Sequence, residues 1–160
     1  MAVRALIIVV QFALALLCAS PGLACFGPKL FIGVPDDPQG QMLTSIVAIY
    51  VKEKTGIETE RIEIGSHDVV SQIVAEKIDF GFTGTTTDGL AILLKVEGLP
   101  ALVSGPRIPG DLQFTTVAPA LERLQRVLTA DHVRQALQRV AAGELPMAAA
   151  RAFLMEQRWI

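Results

Sequence analysis

Three short polar segments carry side chains that could bind a small molecule, and each follows an apolar run rich in β-forming residues. The first holds Asp36, Asp37 and Gln39, the second Ser66 and His67, and the third Thr83, Thr85, Thr86 and Thr87. Hydroxyls and backbone N–H groups at the start of a helix hold anions such as carboxylates, which favours the threonines as an anion site. The two aspartates would instead attract a cationic group.

The same residues have a second interpretation, in which they only shape the backbone. Threonine and aspartate are preferred at helix N-termini, so the threonines and Asp88 are also candidate caps of a helix. Asp36 and Asp37 are likewise typical of a turn. Both interpretations stay open from the sequence. They differ in what a substitution would change, which is ligand affinity in one case and stability in the other.

No pattern in the sequence indicates catalysis or a metal centre. His67 lies beside Asp68, but the chain has 2 histidines and His132 falls in a terminal helix, so no metal-ligand set is predicted. Ser66 and His67 are adjacent in a turn and would not face each other as a catalytic pair. Nucleophile-elbow, P-loop and zinc-binding spacings are absent from the sequence. We therefore expect a non-enzyme with no cofactor and no metal, and the net charge of −2 gives no attraction for nucleic acid.

Alternating strands and helices must position these polar segments. The sequence predicts strands at residues 30–34, 57–64 and 77–82, and helices at residues 42–54 and around 69–74. The threonine segment leads into an apolar stretch at residues 90–96, predicted as a helix, and further candidate strands lie at residues 101–104 and 112–117. This order predicts an α/β fold, a parallel sheet with helices on both faces, in which the polar segments meet at the carboxyl ends of the strands.

The C-terminal part of the chain is predicted to form three helices. Apolar stripes at helical spacing run through residues 121–128, 133–140 and 150–154. Thr129 is a candidate N-cap for the second helix and Gly143 its candidate end, while Pro146 fits the first turn of the third. These helices complete the predicted α/β domain.

The first 24 residues have the pattern of an export signal. Arg4 precedes an apolar run over residues 5–17, which is too short to cross the roughly 30 Å hydrocarbon core of a bilayer. Small residues at Gly22 and Ala24 fit cleavage before Cys25, which predicts a domain of residues 25–160 in the periplasm or another extracytoplasmic location. Cys25 has two interpretations, a lipidated cysteine that anchors a lipoprotein to the membrane and an exposed thiol after ordinary cleavage.

A set of soft motifs is spaced along the chain, at residues 29–33, 50–56, 62–66 and 76–80, with an Ala-Arg-x-Phe-Leu pattern at residues 150–154. The set resembles the substrate-binding proteins of ABC importers, in the glycine betaine, choline and proline group. The resemblance implies a type II periplasmic-binding-protein-like single lobe, a small zwitterionic or amine solute as ligand, and an ABC permease in the inner membrane as partner. Family members are two-lobed, whereas about 30 residues separate the third strand from the terminal helices here, so we expect the second lobe to be reduced or missing.

Two functional hypotheses fit these observations. The first is a non-catalytic solute-binding protein of an ABC transport system, or a truncated relic of one. The family's ligand cage is aromatic, but Trp159 and Tyr50 are expected in helices away from the strand ends. The second hypothesis is a single-lobe protein-interaction module of the cell envelope with no solute ligand. A missing lobe would leave apolar surface uncovered and would favour a homodimer.

Overall fold

Five strands form one mixed sheet in the order β2-β1-β3-β5-β4. The structure is a computed structural model that describes residues 27–85 and 88–160. The strands are β1 (Lys29–Pro35), β2 (Glu58–Gly65), β3 (Phe80–Thr83), β4 (Ala91–Leu94) and β5 (Ala101–Ser104). β1 lies between β2 and β3 and is parallel to both, whereas β5 is antiparallel to β3 and to β4. The predicted α/β class is confirmed, and the prediction of a parallel sheet is wrong for β5.

The reversal of β5 has a local cause. Residues 95–100 join β4 to β5, and this connection is too short for the crossover that two parallel neighbours need. Gly98 lies in the connection with a φ of 76°, in the left-handed region that favours glycine. The two strands therefore pair as a hairpin, which adds both of them to one edge of the sheet.

Two elements predicted between β3 and the terminal helices are wrong. Residues 90–96 contain β4 and no helix, because a short apolar run fits a strand as well as a helical turn and the pairing with β5 decides between them. The candidate strand at residues 112–117 is instead a 3-10 turn at Leu112–Phe114, followed by the start of a helix. The Asp111 carboxylate accepts a hydrogen bond from Gln113 N at 2.9 Å, which stabilises this turn.

Helices lie on both faces of the sheet, as predicted. They are α1 (Pro38–Thr55), α2 (Val69–Val74), α3 (Arg107–Gly110), α4 (Val117–Val127), α5 (Ala130–Ala141) and α6 (Pro146–Glu156). The predicted N-cap of α5 is confirmed, since the Thr129 hydroxyl accepts a hydrogen bond from His132 N at 3.2 Å. Pro146 occupies the first turn of α6, and Gly143 follows α5 with a φ of 101°. These local signals fix where the C-terminal helices begin and end.

The two faces of the sheet are covered unequally. One face packs against α1 and the C-terminal helices, and the larger core cluster lies there with Leu30, Phe80 and Leu102. The other face is covered by the six-residue α2, and its cluster is Ile64, Val69, Ile73, Ile78 and Val103. Ile92 on the edge strand β4 remains 59% exposed. The β4 end of this second face is therefore open to solvent.

Candidate functional site

The loops after β1 and β2 lie against each other at the carboxyl edge of the sheet, as predicted for parallel neighbours. A Cβ atom placed on Gly65, the last residue of β2, would lie 3.5 Å from Asp36 Oδ2 in the loop after β1. Gly65 has a φ of 58°, so a side chain there would also strain the backbone. A Cβ atom would only touch the Asp36 carboxylate, so it is the backbone conformation that favours glycine at this position.

The two adjacent aspartates have different roles. Asp37 is the N-cap of α1, and its Oδ1 accepts a hydrogen bond from Gly40 N at 2.7 Å. Asp37 therefore shapes the backbone, but as a helix cap where a turn was predicted. Asp36 is exposed, and its backbone carbonyl accepts a hydrogen bond from Gln41 Nε2 at 3.2 Å. The Asp36 carboxylate is therefore available to a cation. Gln39 is half-buried in the first turn of α1.

The segment after β2 is an exposed turn that leads into α2. His67 Nδ1 lies 2.7 Å from Ile64 O, and because a carbonyl only accepts, the ring donates here and Nδ1 carries the proton. Asp68 caps α2, with its Oδ2 accepting from Ser71 N at 3.0 Å. Ser66 and His67 are both exposed to solvent. The segment presents one hydroxyl and one imidazole nitrogen to solvent at the sheet edge.

Thr83 and Thr85 form a hydrogen-bonded pair at the end of β3. Their Oγ1 atoms lie 2.9 Å apart, and Thr85 N donates to Thr83 Oγ1 at 3.2 Å. Thr83 is buried, whereas Thr85 is exposed. The predicted site residues Thr86 and Thr87 lie outside the described residues. The stretch that Asp88 would cap is a strand, so the interpretation of the threonines as caps of a helix at residues 90–96 is wrong. The expectation that an anion would be held at the start of that helix is wrong for the same reason, and it is the threonine hydroxyls that are left to bind one.

A cavity of about 190 Å³ adjoins this threonine pair. It is lined by Thr83, Gly84, Thr85, Ile92, Lys95, Leu99, Pro100, Ala101 and Val103. Lys95 is exposed and has no acidic partner within the described ranges. We name this cavity the threonine cavity. It combines two hydroxyls, one ammonium-bearing residue and apolar walls. Its chemistry suits a carboxylate attached to a small apolar body.

Lys95 was not predicted as a site residue, because the sequence predicted the wrong element around it. A helix at residues 90–96 would separate Lys95 from the threonines, whereas the hairpin of β4 and β5 returns the chain beside β3. Lys95 N also donates to Gln125 Oε1 at 2.8 Å, which ties this turn to α4. The Gly-Leu-Pro sequence after Glu97 was the available signal, because glycine and proline together favour a turn.

A larger cavity, of about 520 Å³, lies at the opposite edge of the sheet. Its polar wall contains Asp79 and Arg107, and Phe31, Ile73 and Ile78 supply apolar surface. The Asp79 carboxylate accepts hydrogen bonds from Phe31 N at 2.7 Å and from Arg107 Nη1 at 2.9 Å. Arg107 Nη2 donates to Lys29 O at 3.1 Å. These groups bind one another, so they join strands together. Neither Asp79 nor Arg107 was predicted from the sequence.

Comparison with protein-family models and with curated proteins finds no match to this chain. Within residues 27–85 and 88–160, no three His, Cys, Asp or Glu side chains are grouped so that they could hold a metal ion. In the same ranges no helix combines the length and the apolar character needed to cross a membrane. Residues 1–24 and Cys25, which carry the predicted export signal and the candidate lipidation site, lie outside the described residues.

Proposed function

We propose that this chain is an extracytoplasmic solute-binding protein of an ABC import system, non-catalytic, whose ligand is a small zwitterion of the glycine betaine class. The threonine cavity supports this proposal, because it offers hydroxyl donors and Lys95 to a carboxylate beside apolar walls. The exposed Asp36 carboxylate lies at the same edge of the sheet, outside the lining of the threonine cavity, and its negative charge would attract the cationic end of such a solute. The motif resemblance to betaine-type binding proteins points to the same ligand class.

The single observation that carries the proposal is the hydrogen-bonded pair of Thr83 and Thr85. Thr83 Oγ1 accepts from Thr85 N at 3.2 Å, and the two Oγ1 atoms share a further hydrogen bond at 2.9 Å in which either can be the donor. That bond uses one of the two hydroxyl protons, which leaves the other free to donate to a carboxylate. Because these hydrogen bonds hold the pair together, the free donor is positioned before any solute arrives, which lowers the entropy cost of binding.

Calorimetric titration of the purified chain with glycine betaine, choline and proline tests the proposal. We expect binding of the zwitterions, and a loss of about tenfold in affinity when Thr85→Val removes the donor or Lys95→Met removes the charge. Thr115→Val is the matched control, because Thr115 is an exposed threonine whose hydroxyl donates to Leu112 O at 3.1 Å, in a turn that does not line the threonine cavity. Absence of heat with every solute would overturn the proposal for this chain acting alone.

The protein-interaction module remains the second candidate, and one observation favours it. Ile92 is 59% exposed on β4, which is an edge strand, and it borders the threonine cavity. Edge strands offer unpaired backbone groups to a second copy, and apolar side chains there add to the attraction. Light scattering separates the two candidates. A monomer that binds zwitterions supports solute binding, and a homodimer that binds none supports the interaction module.

The remaining parts of the proposal follow from the export signal. Cleavage after residue 24 would place the chain in the periplasm, where a permease in the inner membrane would be its partner. Metabolic labelling with a radioactive fatty acid tests the lipoprotein interpretation of Cys25, since label should appear in the natural chain and disappear in Cys25→Ser. An unlabelled but exported chain would favour the free thiol.

A further inference from the structure

A basic and aromatic cavity of about 490 Å³ lies at the C-terminal end of α1, and neither the fold nor the proposed function explains it. It is lined by Tyr50, Lys54, Arg123, Arg126, Val127 and Trp159. Three parts of the chain supply these residues: the end of α1, one side of α4, and the segment after α6. We name it the basic cavity. None of its six lining residues is acidic.

The cations of the basic cavity lack acidic partners. Within the described ranges, Lys54, Arg123 and Arg126 make no ion pair. Neighbouring cations behave differently, since Lys52 pairs with Glu58 at 2.9 Å and Arg151 pairs with Glu53 at 3.0 Å. Three like charges around one concavity repel each other, and an anion placed between them would relieve that repulsion.

The helix geometry places these cations together. Arg123 and Arg126 are three residues apart on α4, so they lie on the same side of that helix. Lys54 follows Tyr50 by one turn of α1, and its Nζ lies 5.8 Å from the centre of the Tyr50 ring. Tyr50 itself is 5% exposed. The phenol is therefore a fixed wall of the cavity, with an ammonium group next to it.

The indole of Trp159 is also held in place before any ligand binds. Its ring meets His132 at 5.1 Å and Phe153 at 5.5 Å between ring centres, in both cases edge to face. Arg158 adopts a φ of 57°, and Trp159 N then donates to Leu154 O at 2.9 Å. Such preorganisation lowers the cost of binding a flat group against the indole.

We propose that the basic cavity binds a phosphate-bearing ligand with a planar or apolar group attached. The phosphate would lie among Lys54, Arg123 and Arg126, because guanidinium groups match phosphate oxygens in charge and in geometry. The planar group would pack on the half-buried indole of Trp159, because Tyr50 is 5% exposed and Lys54 lies over its ring. A quaternary amine is excluded from this aromatic pair by the three cations. The basic cavity therefore favours anions, whereas a betaine cage favours a cation. It shares no lining residue with the threonine cavity.

Fluorescence of the full chain tests this proposal directly, because the sequence has 1 Trp and 1 Tyr and both line the basic cavity. The probes are phenyl phosphate, inorganic pyrophosphate, and vesicles of phosphatidylglycerol compared with phosphatidylcholine. We expect a saturable change in Trp159 emission with phenyl phosphate that weakens as salt is added. A response to phosphatidylglycerol vesicles alone would identify a lipid headgroup as the source of the phosphate.

Paired charge-removal variants complete the test. Arg123→Gln with Arg126→Gln should weaken phenyl phosphate binding about tenfold or more. Lys77→Gln with Arg134→Gln removes the same charge elsewhere and should change the affinity less than about twofold. Circular dichroism checks that each variant folds.

Three outcomes would overturn the proposal. The first is no fluorescence change with any phosphate probe. The second is a response to a glutamate-rich peptide alone. The third is a lowered melting temperature in the Arg123→Gln and Arg126→Gln variant with unchanged phosphate affinity, because Arg126 lies in the last turn of α4 and would then serve only the helix dipole.

Discussion

Arg107 Nη1 lies 2.9 Å from both carboxylate oxygens of Asp79, and this ion pair joins three strands at the amino edge of the sheet. Asp79 precedes β3, and its carboxylate also accepts from Phe31 N in β1 at 2.7 Å. The backbone of Asp79 also links these strands. Asp79 N donates to Phe31 O at 2.8 Å, and Gly105 N, just after β5, donates to Asp79 O at 3.1 Å. The pair therefore fixes where β1, β3 and β5 meet.

Replacing this buried carboxylate should lower stability. Asp79→Asn keeps the shape but removes the charge that faces Arg107, and we expect the free energy of unfolding to fall by about 1–3 kcal/mol. The lower part of that range is favoured because the Arg107 side chain is 44% exposed and solvent screens the pair. Asp131→Asn is the control, since its pair with Arg134 on α5 is fully at the surface and should cost less than about 1 kcal/mol. Urea denaturation measures both, and equal losses would contradict a special role for Asp79.

The Asp79–Arg107 pair also marks the limit of what the sequence can predict. Caps and ends such as Thr129, Gly143 and Pro146 were predictable because each acts within one turn of its own helix. Asp79 and Arg107 are 28 residues apart, and their contact depends on β5 lying between β3 and β4. Strand order is a long-range property that local patterns do not encode.

The candidate site likewise contains some residues that the sequence predicts and others that it does not. Thr83 and Thr85 were predictable because polar residues after a buried strand fall at the carboxyl edge of the sheet. Lys95 was not, because the apolar run before it fits a strand and a helix equally well. Tyr50 and Trp159 were expected in helices, and Trp159 instead follows α6 and packs against His132. Their meeting in one cavity needs the packing of α1, α4 and α6, which only the folded chain provides.

The adjacent aspartates give a direct comparison of binding and capping. Asp37→Ala removes the cap of α1 and should lower the free energy of unfolding by about 1 kcal/mol, with the affinity for betaine unchanged. Asp36→Ala should leave stability within about 0.5 kcal/mol, because its carboxylate is exposed. It should weaken betaine binding by about three- to tenfold, because it removes the negative charge proposed to attract the cationic end of the solute. Thermal melting and calorimetry measured on both variants check this. The same loss of stability in both would assign both aspartates to the turn.

Thr86 and Thr87 lie outside the described residues, and their role stays a prediction. Replacing both by valine preserves shape and removes two donors beside Thr85, so the affinity for a carboxylate-bearing solute should fall roughly ten- to a hundredfold. The melting temperature should change little, because β4 follows this segment and leaves no helix at residues 90–96 to cap. Calorimetry with a melting curve tests it. A lowered melting temperature with unchanged affinity would contradict a ligand-binding role.

Ser104 offers a stabilising substitution. It lies on β5 opposite Phe80, is 0% exposed, and its Oγ has no hydrogen-bond partner among the described residues. A hydroxyl buried without a partner costs about 1–3 kcal/mol, and alanine at this position keeps the backbone while removing that cost. We therefore expect Ser104→Ala to raise the free energy of unfolding by about 1 kcal/mol, even after the small loss of packing volume.

Ser45→Ala is the matched control for this prediction. Ser45 is equally buried at 0% exposed, but its Oγ donates to Gln41 O at 2.7 Å within α1. Alanine removes that hydrogen bond, worth about 0.5–1.5 kcal/mol, and recovers about 0.5 kcal/mol through its higher helix propensity. The expected result is therefore no gain at Ser45 and a clear gain at Ser104, both measured by urea denaturation at one pH. A loss of stability in Ser104→Ala would contradict the assignment of an unpaired hydroxyl at this position.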